Sequence, residues 1–529
     1  MGVLECSGAP CDLAAWKDVL VENFGKVALT VVFAACFAKY LFGATVGRRK
    51  LPPGPTPWPL LGNIASLSGL PHRSLEKLSK QYGGLMYLAL GSVPCIVISS
   101  AEIARELFKN VDMIISNRPG GCFFENMTGC RNVTAARYGP HWRKLRMIAA
   151  SELFTQKRLD AYKKSRLTEI GTSIKELFVQ SETQGPVDLH MWLHRLLSNN
   201  LSRVIINERY FGTDEKGMAD ALEFNNCTAL MFAQAGEVVV SDFIPWFAPL
   251  TKLQRKGDSY HRTGQLTMAI MRKMTNLDER RKLHTEGRST GKQEDFVDVL
   301  LRSTLADGAP FDDEIILLTL MDILVAGTDT SATTIEWTIV ELLRHPECMR
   351  KVREELDSVV GNRLVKEEDL DNMPYLNAVL KETFRLHPAT PLGLPREASQ
   401  PFQLQGYTFP AGTRLFINQW AIHHDPAIYP DPYEFKPERF LEGAEINIVG
   451  DSQYQLIPFG SGRRNCLGMP MAVLVIPLLL CHCLHSIDFS LPKGQEPKDL
   501  DMSESFGVSA PKTQPLMIYA KPRAAAALY

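Results

Sequence analysis

The sequence has no excess of charge of either sign. Its 529 residues include 58 lysines and arginines against 59 aspartates and glutamates, for a formal net charge of −1. A chain with no positive surplus, and with no long basic face, lacks the electrostatic footprint of a nucleic-acid-binding protein. We therefore expect no nucleic-acid partner.

The cysteines lack the regular spacing of a disulfide framework. There are 11 of them, an odd number, and they follow no repeating pattern. Reduced thiols in a cytosol-facing protein are the better interpretation, which leaves one cysteine free for a special role. The content of 45% hydrophobic and 22% charged residues is that of an ordinary folded chain, and it excludes a disordered or collagen-like protein.

One apolar run near the N-terminus is long enough to cross a membrane. Residues 27–46 contain a single charge, Lys39, and span about 30 Å as a helix. Residues 1–26 carry acidic side chains, which is unlike a cleaved signal peptide. Basic residues at 48–50 follow the run, so the positive-inside rule places the downstream chain in the cytosol. We predict a lumenal segment at 1–26 and a transmembrane anchor at 27–46; a buried core helix is the alternative.

A basic and proline-rich segment, residues 47–63, comes next. It holds prolines at positions 52, 53, 55, 57 and 59. Each proline removes a backbone donor and restricts its predecessor to extended geometry, so the segment predicts a stiff hinge and not a helix. No internal repeat or second linker of this kind follows. Residues 64–529 are therefore predicted to form one large globular body in the cytosol.

That body has more helical than strand-like patterning. Apolar residues at helical spacing predict helices at 73–82, 101–110, 140–153, 157–179, 187–211, 312–344, 346–360 and 374–386, and a core helix at 471–484. Alternating stretches predict strands near 85–99, 402–407 and 414–417. Residues 425–440 are rich in proline, aspartate and tyrosine and predict an irregular meander. The fold class is mainly α with a minor β region.

Residues 458–468, PFGSGRRNCLG, surround one cysteine with glycine and arginine. The glycines let the backbone turn closely around Cys466, and Arg463 and Arg464 supply positive charge that lowers a thiol pKa. The apolar helix that follows directs its first N–H groups towards the sulfur. A soft, single-ligand metal centre suits such a thiolate, and a nucleophile is the alternative. The absence of Gly-Lys-Ser/Thr excludes a phosphate-binding loop.

This segment resembles the haem-binding signature of the cytochrome P450 superfamily, F-x-x-G-x-R-x-C-x-G. All five specified positions match, at Phe459, Gly462, Arg464, Cys466 and Gly468. Four further motifs occur in the family's order: W-x-x-x-R from Trp142 to Arg146, the oxygen-activating turn from Ala326 to Thr330, E-x-x-R from Glu382 to Arg385, and P-E-R-F from Pro437 to Phe440. Residues 295–300 and 502–507 are similar to plant microsomal enzymes of secondary metabolism.

The resemblance implies a cytochrome P450 fold and a haem-thiolate monooxygenase of the endoplasmic reticulum membrane, with membrane lipid as a partner. Haem b is the expected cofactor, and Cys466 is its expected axial iron ligand. The other expected cofactor-binding residues are Trp142, Arg146, Arg396, Phe459 and Arg464. The chain has no G-x-G-x-x-G between a strand and a helix, so electrons are expected from NADPH through a separate flavoprotein reductase. Arg143, Lys144 and Arg463 could extend a basic face for that donor.

The segment 326–334, AGTDTSATT, is a poor helix interior inside a strongly helical stretch. We expect a distorted turn there, which frees a carbonyl and a hydroxyl to hold water. By the resemblance, Asp329 and Thr330 are the expected catalytic residues, forming a proton relay from solvent. Glu382 and Arg385 share a helix face. In the family this pair joins the arginine of P-E-R-F, here Arg439, in a structural role.

The substrate is the least determined feature. By the resemblance, pocket residues come from 117–131, 326, 390–394 and 506–509, and include Phe124, Ala326, Leu392 and Phe506. These predict a small apolar or aromatic guest. We favour a phenolic or flavonoid substrate, with terpenoids and amino-acid derivatives as alternatives. A reductase-independent haem-thiolate isomerase or dehydratase and a non-catalytic haem-binding sensor are the competing functions.

Overall fold

A computed structural model of the chain describes residues 51–249, 255–288, 293–441, 446–523 and 528. The predicted lumenal segment at 1–26, the predicted anchor at 27–46 and the first residues of the predicted hinge lie outside these residues. The remainder of the hinge contains no helix. It is bonded to the first strand, where the Tyr87 N–H donates to the Pro53 carbonyl at 2.9 Å and the Asn63 N–H donates to the Ala89 carbonyl at 2.6 Å. The described part of the proline-rich segment therefore forms one wall of the folded body.

The described chain is dominated by α-helices, joined by short 3-10 turns. The helices are α1 (Pro71–Tyr82), α2 (Ala101–Val111), α3 (Cys122–Thr128), α4 (Pro140–Leu153), α5 (Gln156–Ala161), α6 (Lys163–Gln184), α7 (Leu189–Ile206), α8 (Glu215–Gly236), α9 (Lys256–Thr275), α10 (Leu277–Thr285), α11 (Phe296–Arg302), α12 (Asp313–Arg344), α13 (Pro346–Val359), α14 (Pro374–Leu386), α15 (Gln419–His423) and α16 (Met469–Ser486).

Among the described residues, nine short strands form three small sheets. They are β1 (Leu85–Leu90), β2 (Val93–Ile98), β3 (Val187–Asp188), β4 (Arg396–Glu397), β5 (Phe402–Leu404), β6 (Tyr407–Phe409), β7 (Arg414–Ile417), β8 (Ile487–Ser490) and β9 (Met517–Pro522). The largest sheet has the order β1-β2-β7-β4, in which β2 and β7 run parallel and the other pairs are antiparallel. The second sheet has the order β3-β9-β8, and β5 and β6 form a hairpin. The mainly helical prediction with a minor sheet is confirmed.

Helix α12 is the central element of the core. The Asp312 side chain caps its N-terminus by accepting a hydrogen bond from the Ile315 N–H at 2.8 Å. From Ile315 to Leu342 most of its residues are buried, on every face of the helix. A helix that is apolar all round is surrounded by other elements, and α7 and α16 supply much of that surrounding core.

Within the part of the chain that the structure describes, α12 and α16 are long and apolar enough to cross a membrane. Most of each helix is, however, buried inside the folded body. Their apolar character therefore serves the core, as predicted for residues 471–484.

Two predicted helices have different boundaries in the structure. The helix predicted at 157–179 is two helices, α5 and α6, which are separated at Tyr162. The helix predicted at 187–211 begins only at Leu189, because Val187 and Asp188 pair with Ile518 and Met517 in β9. The Asp188 side chain then caps α7 by accepting a hydrogen bond from the Met191 N–H at 3.0 Å.

Candidate active site

The loop before α16 is held in a tight, fixed shape around Cys466. The Cys466 N–H donates to the Phe459 carbonyl at 2.9 Å. Gly462 has a φ of +69°, and a Cβ at this position would lie 2.0 Å from Asp112 Oδ1, so only glycine fits. The same carboxylate accepts hydrogen bonds from the Arg463 N–H at 3.1 and 3.2 Å. The loop is thus fixed to the end of α2, and it presents the sulfur at a constant position.

Cys466 is an exposed residue, and its side chain lines a cavity that is surrounded mostly by protein. Burial raises the pKa of its thiol, while hydrogen bonds from the Gly468 and Met469 N–H groups and the charge of Arg146 act in the opposite direction. The expected lowering effect of a neighbouring arginine comes from Arg146 and not from Arg463 or Arg464, and it is smaller than the effect of burial, so the net shift of the pKa is upward. The Arg464 guanidinium is bonded elsewhere, and Arg463 is exposed.

The cavity has a volume of about 390 Å³ and is walled mostly by apolar side chains. The aromatic residues that line it include Phe124 of α3, Phe232 of α8 and Phe459 of the cysteine loop. Ala326 of α12 and Leu392 also line it. A largely apolar enclosure with a few polar groups is the usual form of a small-molecule site.

Three buried arginines gather on the Cys466 side of the cavity. Burial lowers the pKa of Arg396 to about 10 and that of Arg464 to about 9, and the charge of Arg396 further lowers the pKa of Arg464. Burial, with the charges of the other two, also lowers the pKa of Arg118. The Nη1 atom of Arg396 is buried and has no hydrogen-bond partner among the described residues. Such a concentration of positive charge away from water favours a bound anion.

The remaining predicted arginine and tryptophan support this arrangement. Arg146 donates from Nη1 to the Asn465 carbonyl at 3.0 Å, next to Cys466. The Trp142 Nε1–H donates to the Val133 carbonyl at 3.1 Å, and its ring lies 4.2 Å from the guanidinium carbon of Arg464. Trp142 therefore positions Arg464 through a cation–π contact. Its N–H, expected on the cofactor, is bonded to the backbone.

Residues of helix α12 also line the cavity, and the helix runs unbroken from Asp313 to Arg344. The expected distorted turn is therefore absent from the described helix. The Thr330 hydroxyl lines the cavity and donates to the Ala326 carbonyl at 2.7 Å. Bonding one turn back in this way lets a threonine sit in an intact helix with its oxygen at the surface of the site.

Two predicted site residues lie outside the cavity lining. Asp329 is buried on another side of α12, where it interacts with His190 and Ser509, and burial raises its pKa. Phe506 is 40% exposed. A Cβ on Gly507 would lie 3.1 Å from the Phe232 carbonyl oxygen, which accepts a hydrogen bond from the Val508 N–H at 3.0 Å. Val508 lines the cavity in place of Phe506. Phe506 is therefore corrected from the pocket to the surface.

Comparison with known proteins assigns this arrangement to a family. The sequence matches the family description "Cytochrome P450" over residues 52–517. It is 38% identical to a flavonoid 3'-monooxygenase of Petunia hybrida, over 96% of this chain and 100% of that protein. A flavonoid 3'-monooxygenase of Crocosmia x crocosmiiflora is also 38% identical, over 89% of this chain and 92% of its own length. A zebrafish cytochrome P450 structure with progesterone has a TM-score of 0.70 at 27% identity, covering 86% of this chain and 100% of that one.

The chain belongs to the cytochrome P450 family. The predicted resemblance, to plant members in particular, is confirmed, and the enzyme is a P450 monooxygenase. The family implies haem as the cofactor, and the residues present fit it. Cys466 supplies a thiol at one wall of the cavity. The buried arginines suit the two haem propionates, since Nη1 of Arg396 makes no hydrogen bond and its ion-pair partner, Asp112 Oδ1, is 3.7 Å away. Trp142, Arg146 and Phe459 complete the set of lining residues predicted for the cofactor.

The E-x-x-R residues of this P450 form the buried ion cluster that was expected. Arg385 donates from Nε to Glu382 at 2.6 Å and from Nη2 to the same carboxylate at 2.8 Å. Arg439 donates from Nε to Glu382 at 3.0 Å. Arg385 also donates from Nη1 to the carbonyls of His423 and Pro432. Because the side chains of Glu382 and Arg385 are completely buried, the cluster fixes the meander to α14.

The sequence did not identify every polar residue of the site. Arg118 donates to the carbonyls of Thr134, Leu394 and Pro395, and so joins three loops around the cavity. It lies in the predicted pocket segment 117–131, but no spacing distinguishes it from other arginines. Gln419 lines the cavity from the start of α15, and its amide also has no sequence signal.

Proposed function

We propose that this P450 hydroxylates a flavonoid or a closely related phenolic compound. The observation that carries the proposal is the 38% identity to flavonoid 3'-monooxygenases over nearly the whole length of both chains. The cavity supports it, because the walls beside Cys466 include the aromatic side chains of Phe124 and Phe232. Flat aromatic guests pack well against such walls.

The residues of the cavity have distinct roles in this reaction. Haem, ligated by the Cys466 thiolate, supplies the activation of dioxygen, which electron donation from the thiolate favours. Arg396, Arg464 and Arg118 hold the propionates with charge that is already desolvated. The small side chain of Ala326 lines the cavity and would leave space for the guest. The Thr330 hydroxyl, bonded to the Ala326 carbonyl, holds and passes a proton at the surface of the site.

Electrons are proposed to come from NADPH through a separate flavoprotein reductase. Arg143 and Arg463 are exposed. Arg143 lies in α4, which also carries Arg146, and Arg463 lies in the loop that carries Cys466. Lys144 extends the same helix, α4. A basic face of this kind attracts an acidic electron donor, so the rate of haem reduction should fall as salt rises. Reversal of the charges of Arg143 and Arg463 should slow reduction and remove most of its salt dependence.

The membrane placement is proposed from the sequence. Residues 27–46 form the single-pass anchor in the endoplasmic reticulum membrane, with residues 1–26 in the lumen. Residues 47–63 form the connection, and residues 64–529 are the catalytic domain in the cytosol. Proteolysis of sealed microsomes tests this order, since protease added outside should degrade the catalytic domain and spare a fragment of about 5 kDa.

The activity is tested with microsomes that contain the protein and a plant P450 reductase. Naringenin and kaempferol are supplied with and without NADPH, and products are separated by mass. A product one oxygen heavier, formed only with NADPH, supports a flavonoid hydroxylase. A product two hydrogens lighter would show that the protein is still an oxidising enzyme but catalyses desaturation instead of hydroxylation. Turnover of a lipid hydroperoxide without NADPH, and no oxygen insertion with it, supports the isomerase or dehydratase instead.

A further inference from the structure

Gln419 differs from its neighbours in the state of its side chain. Asn418 donates from Nδ2 to the His72 carbonyl at 3.1 Å and accepts from the Ala421 N–H at 3.2 Å. Trp420 donates from Nε1 to Glu76 at 2.8 Å. Both residues on either side of Gln419 are thus fully engaged with the protein. Gln419 itself lies between them at the first position of α15 and lines the cavity.

The Gln419 amide has no hydrogen bond to any residue that the structure describes. Only 3% of the residue is exposed, and its Oε1 atom is buried without a partner. A buried side-chain amide carries one acceptor and two donor hydrogens, and leaving them unpaired is costly. Buried polar groups in native proteins nearly always have partners. The missing partner of Gln419 is therefore sought in the cavity.

Gly393, which has no side chain, lies beside the Nε2 atom of Gln419. A Cβ on Gly393 would lie 3.4 Å from Gln419 Nε2, and Gly393 adopts a φ of +54°, which side chains rarely tolerate. Leu392 and Ile417 flank this point and line the same cavity. A bare backbone position and two aliphatic side chains thus surround a single amide. None of these three neighbours carries a side chain that can satisfy the amide.

We infer that the Gln419 amide is a specificity-determining residue that binds a hydroxyl group of the substrate. The inference rests on the proposed flavonoid function. The oxygen of a phenolic hydroxyl can accept a hydrogen bond from Nε2, whereas Oε1 is enclosed by protein. In an otherwise apolar wall, one such pair selects for the hydroxylated ring, because an analogue without the hydroxyl leaves the amide unpaired.

The inference is tested on the haem-loaded, full-length protein by titration of ligands and the change in haem absorbance on binding. The probes are naringenin, liquiritigenin (which lacks only the 5-hydroxyl) and unsubstituted flavanone (which lacks all three hydroxyls). Gln419→Met keeps the length of the side chain and removes the amide. Leu392→Met is the matched control, because it alters the neighbouring wall without removing a polar group. Thermal unfolding without ligand and haem content are measured for each variant.

We expect Gln419→Met to weaken binding of naringenin about tenfold. Unsubstituted flavanone, which has no hydroxyl for Gln419 to bind, should bind to wild type and variant with equal affinity. Leu392→Met should change the binding affinities for all three ligands by a similar factor. Without ligand, Gln419→Met should unfold at the same temperature as wild type or higher, because it removes an unpaired buried amide.

Three results overturn the inference. The first is that Gln419→Met changes the binding affinities for all three ligands equally, or leaves all three unchanged. The second is a lower unfolding temperature for the ligand-free variant, which shows that the amide already has a structural partner. The third is loss of haem with unchanged ligand affinities, which places the amide on a propionate. If the wild type binds none of the three flavanones, the flavonoid proposal itself fails, and the ligand-free unfolding result still decides whether the amide has a partner.

Discussion

Asp329 and Thr330 are consecutive in α12, yet their side chains lie on different sides of the helix. Thr330 lines the cavity, whereas Asp329 is buried against His190 and Ser509. Successive residues of an α-helix are rotated by about 100°, so adjacent positions can serve two environments. The predicted pair thus divides into a residue at the site and a residue in a polar cluster behind the site.

Thr330→Ala should separate electron consumption from product formation. The hydroxyl that holds the proton at the cavity surface is lost, while the helix and the cofactor arginines are retained. We expect normal haem content, continued NADPH consumption, and about tenfold less product per NADPH, with hydrogen peroxide released instead. Thr319→Ala is the control, since the Thr319 hydroxyl makes the same bond one turn back, to Ile315, away from the cavity. Unchanged coupling in Thr330→Ala would contradict the role.

Asp329→Asn should slow the reaction with little change in shape. The amide is isosteric with the carboxyl but cannot release and regain a proton, so proton supply through the cluster stops. We expect kcat to fall by about ten- to a hundredfold, with a larger solvent isotope effect and unchanged ligand affinity. A variant with a normal kcat and the normal solvent isotope effect would show that protons enter by another route.

The cluster behind α12 should make stability depend on pH. His190 Nδ1 lies 2.9 Å from Glu336 Oε2. Burial acts against the charged ring, but the bond to Glu336 and the charges of Glu336, Asp329 and Asp188 raise the His190 pKa to about 9. The neighbouring His194 stays neutral, because burial lowers its pKa to about 3.

A raised histidine pKa stabilises the folded state below the unfolded pKa of about 6.5 and loses that effect as the pH rises through about 9. We therefore expect the unfolding temperature to decline between pH 6.5 and pH 9. His190→Gln should remove most of this decline and lower stability mainly at the acidic end. A decline of the same size in His190→Gln would assign it to other groups.

The buried ion cluster should be essential for folding. Arg385→Leu leaves the Glu382 carboxylate buried with Arg439 as its remaining charged partner, a change that costs about 3–5 kcal/mol. We expect little folded haem protein in this variant. Arg350→Gln, which breaks exposed pairs with Glu347 and Glu354, is the control and should express normally. Equal yields of haem protein from both variants would show that the cluster is dispensable.

The strongly apolar parts of the fold could be predicted from the sequence because their buried residues form long, uninterrupted apolar runs. Helix α12 was predicted within one residue of its start, where Asp312 caps it. Helix α9 was not predicted, since its buried residues include Thr263, Gly264 and Thr267. Gly264 permits close packing on α3, where a Cβ would lie 2.6 Å from the Met127 carbonyl. A close helix contact requires small residues at buried positions. The helical spacing of large apolar residues, by which a buried helix is predicted, is therefore missing.

The candidate site was predictable where its residues are neighbours in the chain. Arg464 and Cys466 lie in one motif and meet the same cavity. Arg118 and Gln419 reach that cavity from distant loops, so only the tertiary structure reveals them. Phe506 was misplaced because one turn at Gly507 decides which side chain points inward.

The assignment of Cys466 as the cofactor ligand is tested most directly by the absorption spectrum of the reduced carbon monoxide complex. The wild type should show the thiolate-type band, and so should Cys130→Ser, which alters a half-buried cysteine outside the described cavity lining. Cys466→Ser should lose that band, because the serine side chain has no sulfur and cannot supply a thiolate ligand. A thiolate-type band that survives in Cys466→Ser would contradict the account.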